Sequence, residues 1–398
     1  MKVVLNKSRL VLACVYMIWT ATSFICLASA FSNMAGETKN YSDGVLYLLL
    51  DIICLAYVFF SPRITYPKMI INCGLLLAVQ VTGLLVAGAS GLAVLVMRIS
   101  FWLISLISLY KFLSRNPEIR EFFVVIYELG FVALSIYIFL KSMSIREMME
   151  HESGMNELYS VLLGLPLIFL VRGKLARIVG VLAALSAVVL SLKLTAIIML
   201  ILGILTYSLI EGVMEKGKVN PKLLGLFFAV LLVWILFPVI NSFMTQWLHV
   251  DWAEKVSSSN GSGGSGRVDI WINVLKELKN TDIIRLFFGH GYNTVVEKIG
   301  FSAHNDFLEV LYDFGILGFC IYIGLYICLL RRVNLLMYAH DMRAAVLGMS
   351  LSMVFIVSMF SHLVIVPNLM VNCAFIWAVC FADKQTVQPV GKGLYING

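Results

Sequence analysis

Charge is what this chain has least of. Only 13% of its 398 residues are Asp, Glu, Lys or Arg, 60% are hydrophobic, and the mean hydropathy is +0.92. A soluble domain carries about 25% charged and roughly 45–50% apolar residues. The shortfall leaves too few charges to coat a water-facing surface, which excludes a cytosolic enzyme and a disordered chain. Metal-type cysteine spacing is also missing. Cys14, Cys26, Cys54, Cys73, Cys320, Cys328, Cys373 and Cys380 all lie inside apolar runs. They read as small membrane-core residues, not zinc ligands or a secreted disulfide framework. The net charge of +7 would suggest nucleic acid in a soluble protein. Here it reflects cytoplasmic loops, and no nucleic-acid partner is expected.

What is present is a row of long apolar runs, so the fold class is all-α and polytopic. A membrane helix needs about 20 mostly apolar residues. The runs place spans near 10–30, 44–60, 69–87, 91–112, 122–140, 157–171, 176–191, 193–211, 223–245, 305–330, 344–363 and 367–382, about twelve in all. With the N-terminus inside, roughly two thirds of the 30 Lys and Arg fall in cytoplasmic segments, as the positive-inside rule requires. Both termini are then cytoplasmic. Ala28-Ser29-Ala30 resembles a signal-peptidase site, but the preceding apolar stretch is long, so the first helix is expected to stay uncleaved. The chain divides into spans over 1–245, a long periplasmic loop over 246–303, further spans over 304–383, and a cytoplasmic tail over 384–398.

The long loop contains a Ser/Gly stretch from Ser257 to Gly266, then Arg267 to Lys279 with Val268, Trp271, Val274, Leu275 and Leu278 at helical spacing. This predicts an amphipathic helix lying on the membrane face or capping a cavity. Gly261 to Gly266 satisfies G-x-G-x-x-G, but no strand precedes it, and a dinucleotide site is rejected. Gly289-His290-Gly291 lacks the Lys-Ser/Thr of a phosphate loop and reads as a tight turn.

The richest segment runs from Ser302 to Gly318. A helix starting near Asn305 or Asp306 would be capped by that side chain, with Glu309 completing a capping box from Asp306. Positions 304, 308, 311, 315 and 318 would share one helix face, with Gly315 and Gly318 admitting a neighbouring helix below His304. His304 then sits at the membrane–water boundary, either as an interfacial hydrogen-bonding residue or as a general base. Two cations are expected on the same face: Arg267, otherwise an ordinary loop charge, and Lys193, otherwise snorkelling. Arg98, Asp51 and Glu128 lie nearer mid-span, pairing with one another or lining a polar cavity. Arg98 is the best placed to touch an anionic ligand. A base and two cations at an outer boundary suit a lipid diphosphate. The cations stabilise the departing diphosphate, the base takes the acceptor's proton, and neither metal nor cofactor is needed.

His304-Asn305, nine residues, Gly315, two residues, Gly318 resembles the H-[N/S/Q]-x9-G-x2-[G/T/Y] signature of the O-antigen ligase and polymerase superfamily. Leu192-Lys193-Leu194-Thr195 is similar to that family's Ser/Thr-Arg-Ala/Thr element, with Lys in place of Arg. Arg267 before Trp271, and Phe288-Gly289-His290-Gly291, are family-like too. The resemblance covers about residues 185–330. It implies a glycosyltransferase acting at the periplasmic face on an undecaprenyl-diphosphate-linked oligosaccharide. By carry-over His304 activates the acceptor hydroxyl, and Arg267 and Lys193 hold the diphosphate; Arg98, Asn305, Glu309 and His290 are the further candidates for substrate binding. A polysaccharide polymerase is the expectation, with a chain-length regulator as a candidate partner. A ligase onto lipid A core, a protein O-glycosyltransferase and, from another class, a lipid-linked oligosaccharide flippase are the alternatives.

Overall fold

A computed structural model describes residues 42–61, 64, 66–87, 92–148, 159–170, 174–191, 194–216, 267–361 and 367–383. Among them every regular element is a helix. These are α1 (Ser42–Phe60), α2 (Lys68–Ala87), α3 (Leu92–Arg115), a short 3₁₀ turn (Pro117–Ile119), α4 (Arg120–Met148), α5 (Tyr159–Ile168), α6 (Lys174–Ser191) and α7 (Leu194–Lys216), then α8 (Arg267–Lys279), α9 (Ile283–Phe288), α10 (Thr294–Ile299), α11 (Asp306–Tyr338), α12 (Arg343–Phe360) and α13 (Pro367–Phe381). The amphipathic helix expected at 267–279 is α8. The expected spans at 10–30 and 223–245 lie outside the described residues.

Four described helices are long and apolar enough to cross a membrane: Lys68–Leu85, Thr195–Glu215, Asp306–Tyr338 and Arg343–Phe360. Large apolar side chains such as Phe59, Phe60, Leu85, Leu129 and Leu182 point outward and are exposed. A surface of that kind matches hydrocarbon rather than water, and the chain is an integral membrane protein. Inside, α12 packs on α7 and α11, α13 on α3, and α2 on both α3 and α11. Trp102 and Trp377 meet edge to face at 6.3 Å in the core.

The bundle has two distinct ends. At one, Lys111 Nζ donates to the carbonyls of Val58 and Ser61, Arg120 to that of Ala382, and a ring nitrogen of His340 contacts Met214 O. At the other lie the start of α11, the last turn of α12 and the helices α8 to α10.

Candidate functional site

The segment from His304 to Gly318 folds unlike the expected straight helix. Ser358 Oγ on α12 and the Tyr322 hydroxyl both donate to Asp306 Oδ2, at 2.7 and 3.2 Å. In an unbroken helix Asp306 and Tyr322 would stand about 24 Å apart. Phe307 likewise lies against Tyr326, ring centroids 5.8 Å apart. The chain therefore doubles back, and the reversal is at Gly315, with φ 65° and ψ −171°. That conformation is open to glycine alone. A Cβ there would meet Gly289 N and the Phe287 carbonyl at 2.5 Å. Residues 306–314 form a re-entrant arm. Residues 316–338, about 34 Å of helix, suffice to cross the bilayer. The common face through 304, 308, 311, 315 and 318 is not formed, because positive φ at Gly315 reverses the chain within it. Gly318 does receive a neighbour, with Val79 Cγ1 on α2 at 3.4 Å from its Cβ position.

Each end of the arm is capped. Asn305 Oδ1 accepts from the backbone N–H of Phe307 and Leu308 at 3.0 and 3.1 Å, and its Nδ2 donates to Met359 O on α12. With Asn305 as cap, the box position falls on Leu308, so the Asp306–Glu309 box is not made. Glu309 instead is 3% exposed, and neither carboxylate oxygen has a hydrogen-bond partner among the described residues. At the arm's other end the carbonyls of Tyr312 and Asp313, which the chain reversal orphans, accept from the backbone N–H of His290 and Gly291 at 3.1 and 2.9 Å. This is what Gly289-His290-Gly291 does. Gly289, at φ 86°, brings its backbone so close that a Cβ would meet Asp313 O. Asp313 caps α10 from outside, accepting from Asn293 N, Val295 N and Thr294 Oγ1 at 2.7, 3.2 and 3.1 Å.

Both ring nitrogens of His290 are engaged. Nδ1 lies 3.1 Å from Tyr312 O, Nε2 lies 3.2 Å from Thr281 Oγ1, and the ring stacks on Tyr312 at 4.2 Å. Expected as a substrate-binding residue, His290 is placed as the floor of a polar cleft. At its rim the backbone N–H of Arg285, with that of Ile284, holds the Asp282 carboxyl below the usual carboxylate range.

His304 precedes the arm. It is half-buried and takes the left-handed conformation, φ 49°, a region uncommon for residues other than glycine, though asparagine, aspartate and histidine visit it more than most. The residue before it ties it to the loop helix. Ala303 O accepts from Trp271 Nε1 at 2.9 Å, and Ala303, Val274, Val295 and Tyr312 form a small apolar cluster. Arg267 lies one turn before Trp271 on α8, hence on the same face, and is half-buried. The Tyr159 hydroxyl at the start of α5 bonds the side chain of Thr195 and lies within electrostatic reach of Arg267. The Trp271–Ala303 bond thus sets α8, which carries Arg267, against the residue that precedes His304. Lys193 falls outside the described residues, and so does the side chain of Arg98, whose backbone is in α3. Asp51 and Glu128 are buried in α1 and α4.

Sequence reasoning passed over Asp313, the Trp271–Ala303 bond and the cleft above His290. Trp271 on the apolar face of a charged helix was the available signal for the second. The first and third depend on the chain reversal, which a single Gly315 does not announce.

Fold and site together define an integral membrane protein in which a re-entrant arm follows a half-buried histidine and the loop helix α8 bonds the residue before it. Residues 179–323 match the family model described as O-Antigen ligase. The match supports the O-antigen ligase and polymerase superfamily and takes in every candidate residue but Arg98. A comparison with curated proteins gave no match.

Proposed function

We propose that the protein is a surface-polysaccharide polymerase of the bacterial inner membrane. It would pass an undecaprenyl-diphosphate-linked glycan onto another lipid-linked repeat unit at the periplasmic face, within about twelve spans and with both termini cytoplasmic. His304 takes the proton of the acceptor hydroxyl. The acceptor oxygen forms its bond to the anomeric carbon as the bond from that carbon to the diphosphate oxygen breaks. Arg267 and Lys193 hold the diphosphate as its charge grows. The observation that carries this reading is the Trp271–Ala303 hydrogen bond, which fixes the arginine-bearing helix beside the histidine. The family match over 179–323 supports glycan transfer from a lipid carrier in general terms. Arg98 and Asn305 are assigned to the substrate side, as is Glu309, because a buried carboxylate without a partner is costly and marks function.

The test is His304→Ala as the sole copy in the native strain. Lipopolysaccharide is run on a gel and lipid-linked intermediates are extracted alongside. Core bearing a single repeat, at normal protein abundance, is the expected result. Bare core with accumulated lipid-linked polymer would mean a ligase, and single lipid-linked repeats trapped facing the cytoplasm would mean a flippase. An unchanged ladder removes His304 from the chemistry. The two cations separate by substitution. Arg267→Lys loses a bidentate fork and Lys193→Arg gains one, so the first should transfer glycan more slowly than the second. The opposite ranking would exchange their roles.

A further inference from the structure

Between α8, α9 and α10 lies a cleft of about 250 Å³ whose lining is mostly polar. Its walls carry Glu277 and Lys298, paired at 3.7 Å, and Asp282 and Arg285, paired at 3.6 Å. Asn280 and Thr281 close one side, and the stacked His290–Tyr312 pair forms the floor. The charges balance, which disfavours a diphosphate. The lining offers little to an acyl chain. Amide, hydroxyl, carboxylate and guanidinium groups around one small cleft suit the dense hydroxyl pattern of a sugar.

Its position is equally specific. The C-terminal end of α8 reaches the cleft, while Trp271 on the same helix contacts the residue before His304. From Trp271 to Thr281 is about 15 Å of rise. A glycan whose reducing end lies at His304 and Arg267 would run along α8 and reach the cleft several sugars later. We propose that this cleft is a glycan subsite, holding the body of the polysaccharide away from the reaction centre. This rests on the transferase reading above for the direction in which the chain runs. It adds a binding site that the His304 chemistry does not require.

The test uses the full-length protein in nanodiscs and oligosaccharides of one and two repeat units, released by mild acid from the producing strain's own polysaccharide. Titration should show saturable binding of the two-repeat oligosaccharide to wild type and to His304→Ala alike. Arg285→Ala should weaken it about tenfold, the loss of one charge-assisted hydrogen bond, and Asn280→Trp should block it. In cells both variants should shorten the polysaccharide distribution. Thermal unfolding matched to wild type qualifies each variant, and Lys298→Ala, whose side chain is 59% exposed, is the replacement where one unfolds. Equal binding by wild type and Asn280→Trp, or no saturable binding by wild type, overturns the subsite. A fully active His304→Ala with cleft-dependent binding intact would overturn the transferase mechanism and leave the subsite standing.

Discussion

The two ends of the bundle solve the problem of polar groups in an apolar protein in opposite ways. At the end where α11 meets α12, Arg332 pairs with Asp383 at 2.6 Å, and Arg343 pairs with Asp341 at 2.6 Å and Asp383 at 2.9 Å. Arg332 and Arg343 also donate to the last carbonyls of α13 at Cys380 and Ala382. These cations neutralise carboxylates and complete helix C-termini, which is structural work. At the other end the re-entrant arm buries Asp306, Glu309 and Asp313. Asp306 and Asp313 have their donors, while Glu309 has none among the described residues; positive φ occurs at both ends, at His304 here and at His340 there. Buried hydroxyls without a hydrogen bond occur at the opposite end too, at Ser61 and Ser114, but a buried carboxylate beside a glycine-only chain reversal occurs among the described residues at the arm. The comparison teaches that the chain reversal at Gly315 and the Glu309 carboxylate it buries, not the charge count, distinguish the arm end.

The strongest way to break the contrast is to remove the reversal. Gly315→Ala puts a Cβ within 2.5 Å of the Phe287 and Gly289 backbone at a φ that alanine resists. It should cost roughly 2–5 kcal/mol, read as a large drop in the detergent-solubilised unfolding temperature together with loss of transfer. Gly74→Ala, where nothing lies within 4 Å, is the control and should be close to neutral. Equal stability of the two variants would mean that the arm does not depend on its turn.

Much of this was readable beforehand. The apolar runs placed α1 to α7 and α11 to α13 to within a few residues, because burial in lipid demands length and little else, except that α4 and α11 run on to Met148 and Tyr338, well past the expected ends at 140 and 330. The spacing of Trp271, Val274 and Leu278 marked α8, and Asn305 was one of two candidate caps, with Asp306. The doubling back was not legible. A helical pattern continues through Gly315, and only Asp306 meeting Tyr322 and Ser358 reveals the turn. For the same reason Glu309 read as half of a capping box, since the box rule assumes that the helix begins one residue later than it does. His290 and Asp313 owe their roles to partners across the reversal, with which they share no sequence spacing.

A smaller effect on stability, and a sharper one on function, is expected from Glu309→Leu. If the carboxylate serves only the fold, its removal should cost stability. It has no hydrogen bond to lose, so replacement by a similar-sized apolar group should leave stability unchanged or raise it by about 1–3 kcal/mol. Transfer should fall at least about tenfold with membrane abundance intact. Full activity in Glu309→Leu would make the unpartnered group an accident of packing and erase half of the contrast.

The smallest effect on transfer belongs to the opposite end. Arg343→Ala removes four side-chain hydrogen bonds, to Asp341, Ala382 and Asp383, but Asp341 and Asp383 retain 30% and 51% side-chain exposure. Water can replace part of what is lost, so the cost should be about 1–3 kcal/mol, below that of breaking a fully buried pair. Transfer by the protein that remains folded should be unchanged. The pH dependence adds a sign. Burial pushes the Asp341 carboxyl up, but the hydrogen bonds and charge of Arg343 outweigh it and hold the group below the ordinary carboxylate value. A depressed folded-state value stabilises above the unfolded value of about 3.9 and is lost as pH falls through the folded one. Wild type should therefore lose stability on acidification across that window, and Arg343→Ala should lose less. A steeper acid loss in the variant, or a transfer defect as large as that of Glu309→Leu, would mean that the two ends are coupled and that the division between holding and working is false.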